Sequence, residues 1–365
     1  MRIAQLAPLA ESVPPKLYGG TERVVAWLVD GLVDRGHEVT LFASGDSKTR
    51  GRLHSVWPRA LRLGRKGVDP NSAYAVLLQA IARRAREFDV IHSHIDWLAL
   101  PLLGRLGVPS LTTLHGRLDL PGLGDVIRAF PETRFVSISD HQRLPLRDAN
   151  WLATVQHGLP PDLLRPSYAR GSYLAFLGRL TAEKGPEAAI RIARAAEKPL
   201  RIAAKLPRAE TAYFKKNLEP HLDGKRVQLV GEIDETRKQP FLADAAALLF
   251  PITWPEPFGL VMIEAMACGT PVIAFRFGSV PEVVEDGVTG FIVESELEAV
   301  AAVGKLDRLD RRTIRARFEE RFSAQRMVGQ YEDLYRECVA AGSNRGSQAH
   351  HLNQRTASCH SELPG

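Results

Sequence analysis

Short runs of apolar residues at 2–7 (RIAQLA), 38–43 (EVTLFA), 89–92 (DVIH), 109–114 (PSLTTL) and 133–138 (TRFVSI) are separated by longer stretches of helical character. Such runs, apolar on successive positions rather than on alternate ones, suit strands buried on both faces of a parallel sheet. The pattern breaks over 158–168 (GLPPDLLRPSY), where three prolines interrupt both periodicities. It restarts at 173–178 (YLAFLG), 200–204 (LRIAA), 226–230 (RVQLV), 246–250 (AALLF), 271–274 (PVIA) and 290–293 (GFIV). Stretches at 21–35, 73–87, 184–197, 258–268 and 324–341 carry apolar residues at intervals of three and four, which predicts helices covering the sheet faces.

The pattern therefore predicts an α/β protein of two Rossmann-like layered domains joined near 158–168. A chain of 365 residues is too long for one ordinary core and suits two. The expected division is a first domain at 1–165 and a second at 170–323, followed by a helix at 324–341. Residues 342–365 are polar and lack apolar periodicity, so a disordered tail is expected there. Open parallel sheets bind ligands at the carboxyl ends of their strands, so two of them facing across a cleft suit a two-part substrate. Architecture alone does not name the reaction.

Composition narrows the class. Hydrophobic residues at 45% and charged residues at 25% are ordinary globular values. The net charge of +6 comes from basic residues scattered among acidic ones, which points weakly to anionic substrates and not to nucleic acid. Cys268, Cys338 and Cys359 show neither disulfide nor zinc-ligand spacing, so a reducing cytoplasm is the expected compartment. The apolar run from Met1 to Pro8 ends before a secretory core would be complete, and no later run approaches the roughly 18 apolar residues of a membrane span. The expectation is a soluble or at most peripheral protein, a monomer or weak dimer, since the helical apolar residues are taken up in covering the sheets.

The most informative string is 256–275, EPFGLVMIEAMACGTPVIAF. Glu256 precedes the breaking residues Pro257, Phe258 and Gly259, and Glu264 lies within the helical run that follows. Two glutamates so spaced are usually a solvated helix face. The amides of Phe258, Gly259 and Leu260 at a helix N-terminus would attract anionic or hydroxyl oxygens. The whole string resembles the signature of the family-four retaining glycosyltransferases (glycosyl transferases group 1), and the resemblance runs from Met1 to about Ala341. It implies the two-domain GT-B fold, with 1–165 as the acceptor-side domain, 170–323 as the nucleotide-sugar donor domain and the helix 324–341 crossing back to brace the first. It also implies Glu256 against the donor sugar, the amides of Phe258, Gly259 and Leu260 at its hydroxyls, and Glu264 accepting the ribose hydroxyls.

Other motifs gain meaning from that resemblance. In 178–185 (GRLTAEKG), Arg179 and Lys184 stand where strand gives way to helix, able to meet a diphosphate. Alone they would read as surface charge; the resemblance implies that they neutralise the leaving diphosphate, so that no metal and no cofactor is needed. In 18–23 (YGGTER), Gly19 and Gly20 let the backbone approach a phosphate, or else form a flexible turn. His115 ends a buried strand; by resemblance it reaches the donor sugar, while a lone histidine is more often structural. His92 and His94, with Asp96, lack the ligand set of a metal site and are read as acceptor-side or structural. Ser137, Ser139 and His141 match a family position, although a helix cap by Ser139 or Asp140 explains them equally. The stretch 278–290 is read as architecture, and the basic run at 59–66 as a solvated face or a contact for anionic lipid or a phosphorylated acceptor.

Two departures from the family pattern stand out. His157 replaces an expected asparagine, and Lys205 follows the strand at 200–204 where glycine and acidic residues are usual. Family frequency implies UDP-glucose as donor ahead of GDP-mannose, ADP-glucose and UDP-N-acetylglucosamine, with the acceptor unknown and its walls at 44–72 and 115–130. The implied chemistry is front-face transfer of a hexosyl group by positioning and electrostatics. A retaining phosphorylase and a non-catalytic nucleotide-sugar-binding protein are the alternatives. A dehydrogenase ranks below them because YGGTER lacks the three-glycine dinucleotide fingerprint.

Overall fold

The computed structural model describes the backbone of residues 1–17 and 19–358, and side chains as far as Gly342 apart from Leu63. Strands β1 (Arg2–Leu6), β2 (Glu38–Ser44), β3 (Arg52–Trp57), β4 (Val90–Ser93), β5 (Ser110–Thr113), β6 (Phe135–Ser137) and β7 (Trp151–Thr154) form one sheet in the order β3-β2-β1-β4-β5-β6-β7. Strands β8 (Tyr173–Arg179), β9 (Leu200–Lys205), β10 (Val227–Gly231), β11 (Ala245–Phe250), β12 (Val272–Phe275) and β13 (Gly290–Val293) form a second in the order β10-β9-β8-β11-β12-β13. Every pairing is parallel; in register, Ile3 faces Val39 on one side and Val90 on the other. This is the expected pair of Rossmann-like α/β domains. Strand order reverses between β1 and β4 and between β8 and β11, and it is the loops at these two points that meet across the cleft.

Two strands escaped the sequence pattern, β3 (RLHSVW) and β7 (WLAT). Both lie at sheet edges and are only partly buried, so neither needs the continuous apolar run that marks an interior strand.

The main covering helices are α1 (Gly20–Asp34), α2 (Pro70–Arg84), α3 (Pro186–Ala195), α4 (Glu235–Ala243), α5 (Leu260–Ala267), α6 (Glu296–Val303), α7 (Arg311–Arg321) and α8 (Ala324–Ser358). Side-chain caps start several of them: Asp69 accepts from the amide of Asn71, Asp234 from that of Arg237 and Asp310 from those of Arg312 and Thr313. Helices α4, α6 and α7 were not anticipated. α7 (RRTIRARFEER) buries Ile314, Arg315 and Phe318, too narrow an apolar stripe to stand out in a charged sequence. α4 carries an internal proline, Pro240.

The chain crosses between the domains twice, at the start of the 158–168 linker and again at 322–324. These crossings are hydrogen-bonded to each other: the Leu159 amide donates to the Phe322 carbonyl at 2.9 Å, and the Ala324 amide to the Leu159 carbonyl at 2.7 Å. The linker and the return to the last helix, both expected, are thus zipped together as a pair. Beyond it, α8 buries Met327, Val328, Tyr331, Tyr335 and Cys338 in the first domain's core beside Val24, Val25, Leu28 and Leu32 of α1. α8 runs on to Ser358, so 342–358, part of the tail expected to be disordered, is helical. Once the packed part of a helix is formed, each further residue adds a backbone hydrogen bond without needing an apolar face. Residues 359–365 lie outside the described residues.

A Cβ on Gly158 would collide with the carbonyl of Ser323 in the paired crossing. Gly158→Ala is expected to lower stability by about 1–3 kcal/mol, the usual cost of overpacking, as measured by urea denaturation. An unchanged midpoint would show that the two crossings separate freely.

Candidate active site

The loop after β11 is built to present Glu256. The Glu256 amide donates to the Trp254 carbonyl at 2.8 Å in a tight turn, and the Ser279 amide and hydroxyl hold the carbonyls of Glu256 and Phe258 at 3.0 and 2.7 Å. Gly278 adopts φ +57°, and a Cβ there would collide with the backbone of Glu256. The 278–290 stretch is therefore the clamp that sets the position of this glutamate. The carboxylate accepts from Lys184 Nζ, and both side chains are largely buried. Lys184 ends a short 3-10 turn after β8 that is tied to the Glu256 loop by the Thr253 amide donating to the Glu183 carbonyl at 3.0 Å. Its ammonium also sits 4.6 Å from the Trp254 ring centroid, a cation–π contact that helps fix its position.

Arg179 closes β8 on the same edge. Its Nη2 donates to Glu183 at 3.1 Å, while Nε is buried without a partner. Lys205 closes β9 and lines the cleft; burial and the neighbouring Arg62 lower its ammonium pKa. Glu264 lies in the second turn of α5, with its side chain only 4% exposed. It accepts from Lys238 Nζ at 2.6 Å, and Lys238 also bonds Glu235 at 2.8 Å. Burial lowers the Lys238 pKa and the Glu264 charge opposes that shift. Glu235 in turn pairs with Arg23 of α1 in the opposite domain.

α1 begins at Gly20 with no side-chain cap, so the first amides after the Gly19–Gly20 turn are open to an anion. The turn approaches α5 across the cleft: a Cβ on Gly20 would lie 3.3 Å from Leu260 Cδ1. α5 likewise has no side-chain cap, with Gly259 at its N-cap in the left-handed region, φ 79°. Arg62, from the basic run at 59–66, points into the cleft and pairs with Glu11 and, at 3.9 Å, with Glu232 of the other domain. That residue at least belongs to the cleft, not to a solvated face.

Two imidazoles, His115 and His157, line the first domain's side of the cleft, and His92 and His94 lie buried behind them. His115 Nε2 meets His94 Nδ1 at 2.9 Å, His94 Nε2 meets Gln5 at 2.8 Å, and Gln5 donates to Tyr335 of α8 at 2.9 Å. His92 is held by Tyr335 at 2.7 Å and Thr113 at 2.8 Å. His92 and His94 are thus buried supports of His115. His157 stacks on His115 with centroids 5.3 Å apart and meets Phe258 edge-on at 5.0 Å. The Nδ1 atoms of His115 and His157 are buried without a partner. Ser139 acts as a cap, accepting from the Gln142 amide at 3.1 Å, and the amides of Asp140 and His141 donate to Glu282 across the domain boundary at 2.8 and 2.7 Å.

One cleft of about 520 Å³ contains every residue to which the sequence gave a catalytic or donor-binding role, Gly19, Gly20, His115, Arg179, Lys184, Glu256, Phe258, Gly259, Leu260 and Glu264, whereas His92, His94, Asp96, Ser137, Ser139 and His141 do not line it. It also holds Arg62 of the basic run, and Arg23, His157, Lys238 and Trp254, to which the sequence gave no site role. Trp254 lies two residues before Glu256 and was the most findable of these. The others are joined by contacts that span domains or helices and leave no local signature. Among the described residues no three His, Cys, Asp or Glu side chains are grouped to hold a metal ion, and no helix is long and apolar enough to cross a membrane.

Residues 166–322 match the family model described as glycosyl transferases group 1, and residues 18–181 match that of Glycosyltransferase Family 4. A D-inositol 3-phosphate glycosyltransferase of Mycobacterium leprae is 29% identical over 272 residues, covering 60% of this chain and 60% of the relative. The chain thus spans about three-fifths of the length of that curated relative. Among solved structures, sucrose-phosphate synthase from Thermosynechococcus elongatus superposes with a TM-score of 0.77 at 21% identity, covering 93% of this chain and 99% of the other. The Anabaena protein HepE in complex with UDP and glucose gives 0.72 at 20% identity, covering 92% and 100%. Both likenesses show the GT-B fold.

The buried imidazoles make stability depend on pH. Burial holds His92, His94 and His157 well below the ordinary value of 6.5 and brings His115 to about 3. As pH falls below 6.5 the unfolded chain takes up these protons first, so stability is full above that value and declines towards 3. The melting temperature is expected to fall between pH 7 and pH 5, and to fall less steeply in His157→Asn. Equal slopes in calorimetry would show that His157 titrates alike folded and unfolded.

Proposed function

Because the chain belongs to the group 1 glycosyltransferases, we propose that it transfers a hexosyl group from a nucleoside-diphosphate sugar, with UDP-glucose as donor, to a hydroxyl acceptor, retaining configuration and using no metal. The observation that supports this most strongly is the grouping of Lys184, Glu256, Arg179 and Glu264 in one cleft between two strand-order reversals. Cations at a sheet's carboxyl edge suit a diphosphate, and a buried carboxylate on the adjoining helix suits the vicinal hydroxyls of a ribose. The UDP and glucose carried by the Anabaena neighbour of the same fold agree with this choice of donor.

In the proposed step the bond from the sugar's anomeric carbon to the β-phosphate oxygen breaks, and the acceptor oxygen bonds to that carbon from the same face. The leaving phosphate oxygen takes the acceptor's proton. Arg179 and Lys184 offset the charge gathering on the diphosphate, a task that a divalent ion performs in other transferases. Lys184 reaches the phosphate while still bonded to Glu256, so the carboxylate orients the ammonium and is left free on its other oxygen for a sugar hydroxyl. His115 is neutral over the physiological range, since its pKa lies near 3, and contributes a hydrogen bond rather than a charge. Catalysis is then largely positioning and electrostatics in a closed cleft.

Release of nucleoside diphosphate from UDP-glucose, GDP-mannose, ADP-glucose and UDP-N-acetylglucosamine tests the proposal, with water as the default acceptor. UDP-glucose is expected to turn over fastest and EDTA to leave the rate unchanged. Lys184→Met and Glu256→Gln should each lower kcat by about 10²-fold or more, the usual loss when one charge-stabilising group is removed. Loss of activity in EDTA would overturn the metal-free step. Turnover of a disaccharide with inorganic phosphate, and of no nucleotide sugar, would assign the cleft to a phosphorylase.

A further inference from the structure

Lys238 is a buried cation to which the proposed reaction gives no role. Its side chain is 7% exposed and its Nζ lies 2.6 Å from Glu264 Oε1 and 2.8 Å from Glu235 Oε1. It projects from the first turn of α4, whose start is fixed by the Asp234 cap, while Glu264 projects from α5, so two helices must keep their spacing for the pair to form. Glu235 then reaches Arg23 across the cleft, and Arg23 Nη2 donates to the Leu17 carbonyl in the segment that enters the Gly19–Gly20 turn. A continuous chain of charges, Glu264–Lys238–Glu235–Arg23, therefore runs from the donor domain to the glycine turn of the other.

We propose that Lys238 is the positioning residue of a ribose subsite: by holding Oε1 of Glu264 it aims the other carboxylate oxygen at the vicinal hydroxyls of a nucleoside diphosphate. This rests on the donor-site reading above and goes beyond it by naming what makes Glu264 selective. Two physical arguments support it. Burying a carboxylate as deeply as Glu264 is costly without a partner, and among the described residues Lys238 is the cation bonded to it. A carboxylate with both oxygens free would rotate, whereas one oxygen pinned at 2.6 Å leaves the second a defined direction. Lys238 lines the same cleft as Glu264, so the ligand meets the pair as one unit.

The test is the affinity ratio between UDP and 2′,3′-dideoxy-UDP, measured by calorimetry on the full chain. Wild type should prefer the ribonucleotide by tenfold or more, and Glu264→Ala should bring the ratio to near one. Lys238→Met should also bring it to within about threefold while leaving affinity for the dideoxy analogue nearly unchanged. Should that variant not fold, Lys238→Arg reads the same ratio, because a planar guanidinium cannot occupy the ammonium position and the ratio should fall at least threefold. Glu235→Gln, which leaves the Glu264 contact in place, should keep most of the preference. A wild-type ratio in the Lys238 variants, with only a lower melting temperature, would make Lys238 merely structural and overturn the proposal. A wild type that binds UDP but ignores the ribose hydroxyls, or binds neither nucleotide, would instead sink the donor-site reading at Glu264.

Discussion

Charge held out of water is the constraint on which this structure turns. Glu256 and Glu264 are both largely buried at the carboxyl edge of the second sheet, where an isolated carboxylate would be costly. Each is tolerable because a lysine from a different element meets it, Lys184 from the turn after β8 and Lys238 from α4. Breaking such a pair by removing one partner typically costs about 3–5 kcal/mol, far more than the intact pair contributes, so the cleft's polar geometry is fixed by avoided penalties. The same economy leaves a place for an anionic ligand. Arg179 and Lys184 share one edge with Lys205, and the open helix N-termini of α1 and α5 face that edge.

The domains are arranged to keep these groups opposed. Two passes of chain would separate easily if left alone; here they form a parallel bridge at Leu159 and Ser323, hydrogen-bonded through Phe322 and Ala324, and Arg315 donates to the carbonyls of Pro161, Leu164 and Ala267. That guanidinium ties the linker to the end of α5, the helix that carries Glu264. On the far side, α8 packs on α1 and sends Tyr335 to Gln5, from which hydrogen bonds lead through His94 to His115. Both crossings of the chain thus end in groups that support the cleft.

Interior strands were legible because burial on both faces demands continuous apolar runs, and the interior runs reappear as strands within a residue or so of their predicted positions. β3 and β7 were not, since an edge strand needs only part of that signal. The 256–275 string was legible because a loop, a helix start and two carboxylates are close in sequence. Lys238 was not, because its partner is 26 residues away and on another helix. Arg62 lay in a basic run that composition alone assigns to solvent, and only the fold turns it towards Glu11 and Glu232. The clamp at Gly278 was visible as a turn but not as the support of Glu256, since contact between the two loops exists only after β11 and β12 pair.

The most direct test of the central claim is calorimetric titration of UDP into the metal-free protein, repeated in Lys184→Met. The account predicts saturable binding without a divalent ion that weakens as salt is raised, and a loss of about tenfold or more in the variant, since the phosphate contact is a point-charge interaction. Binding that appears only when a divalent ion is added, or that is unchanged by removing Lys184, would contradict it.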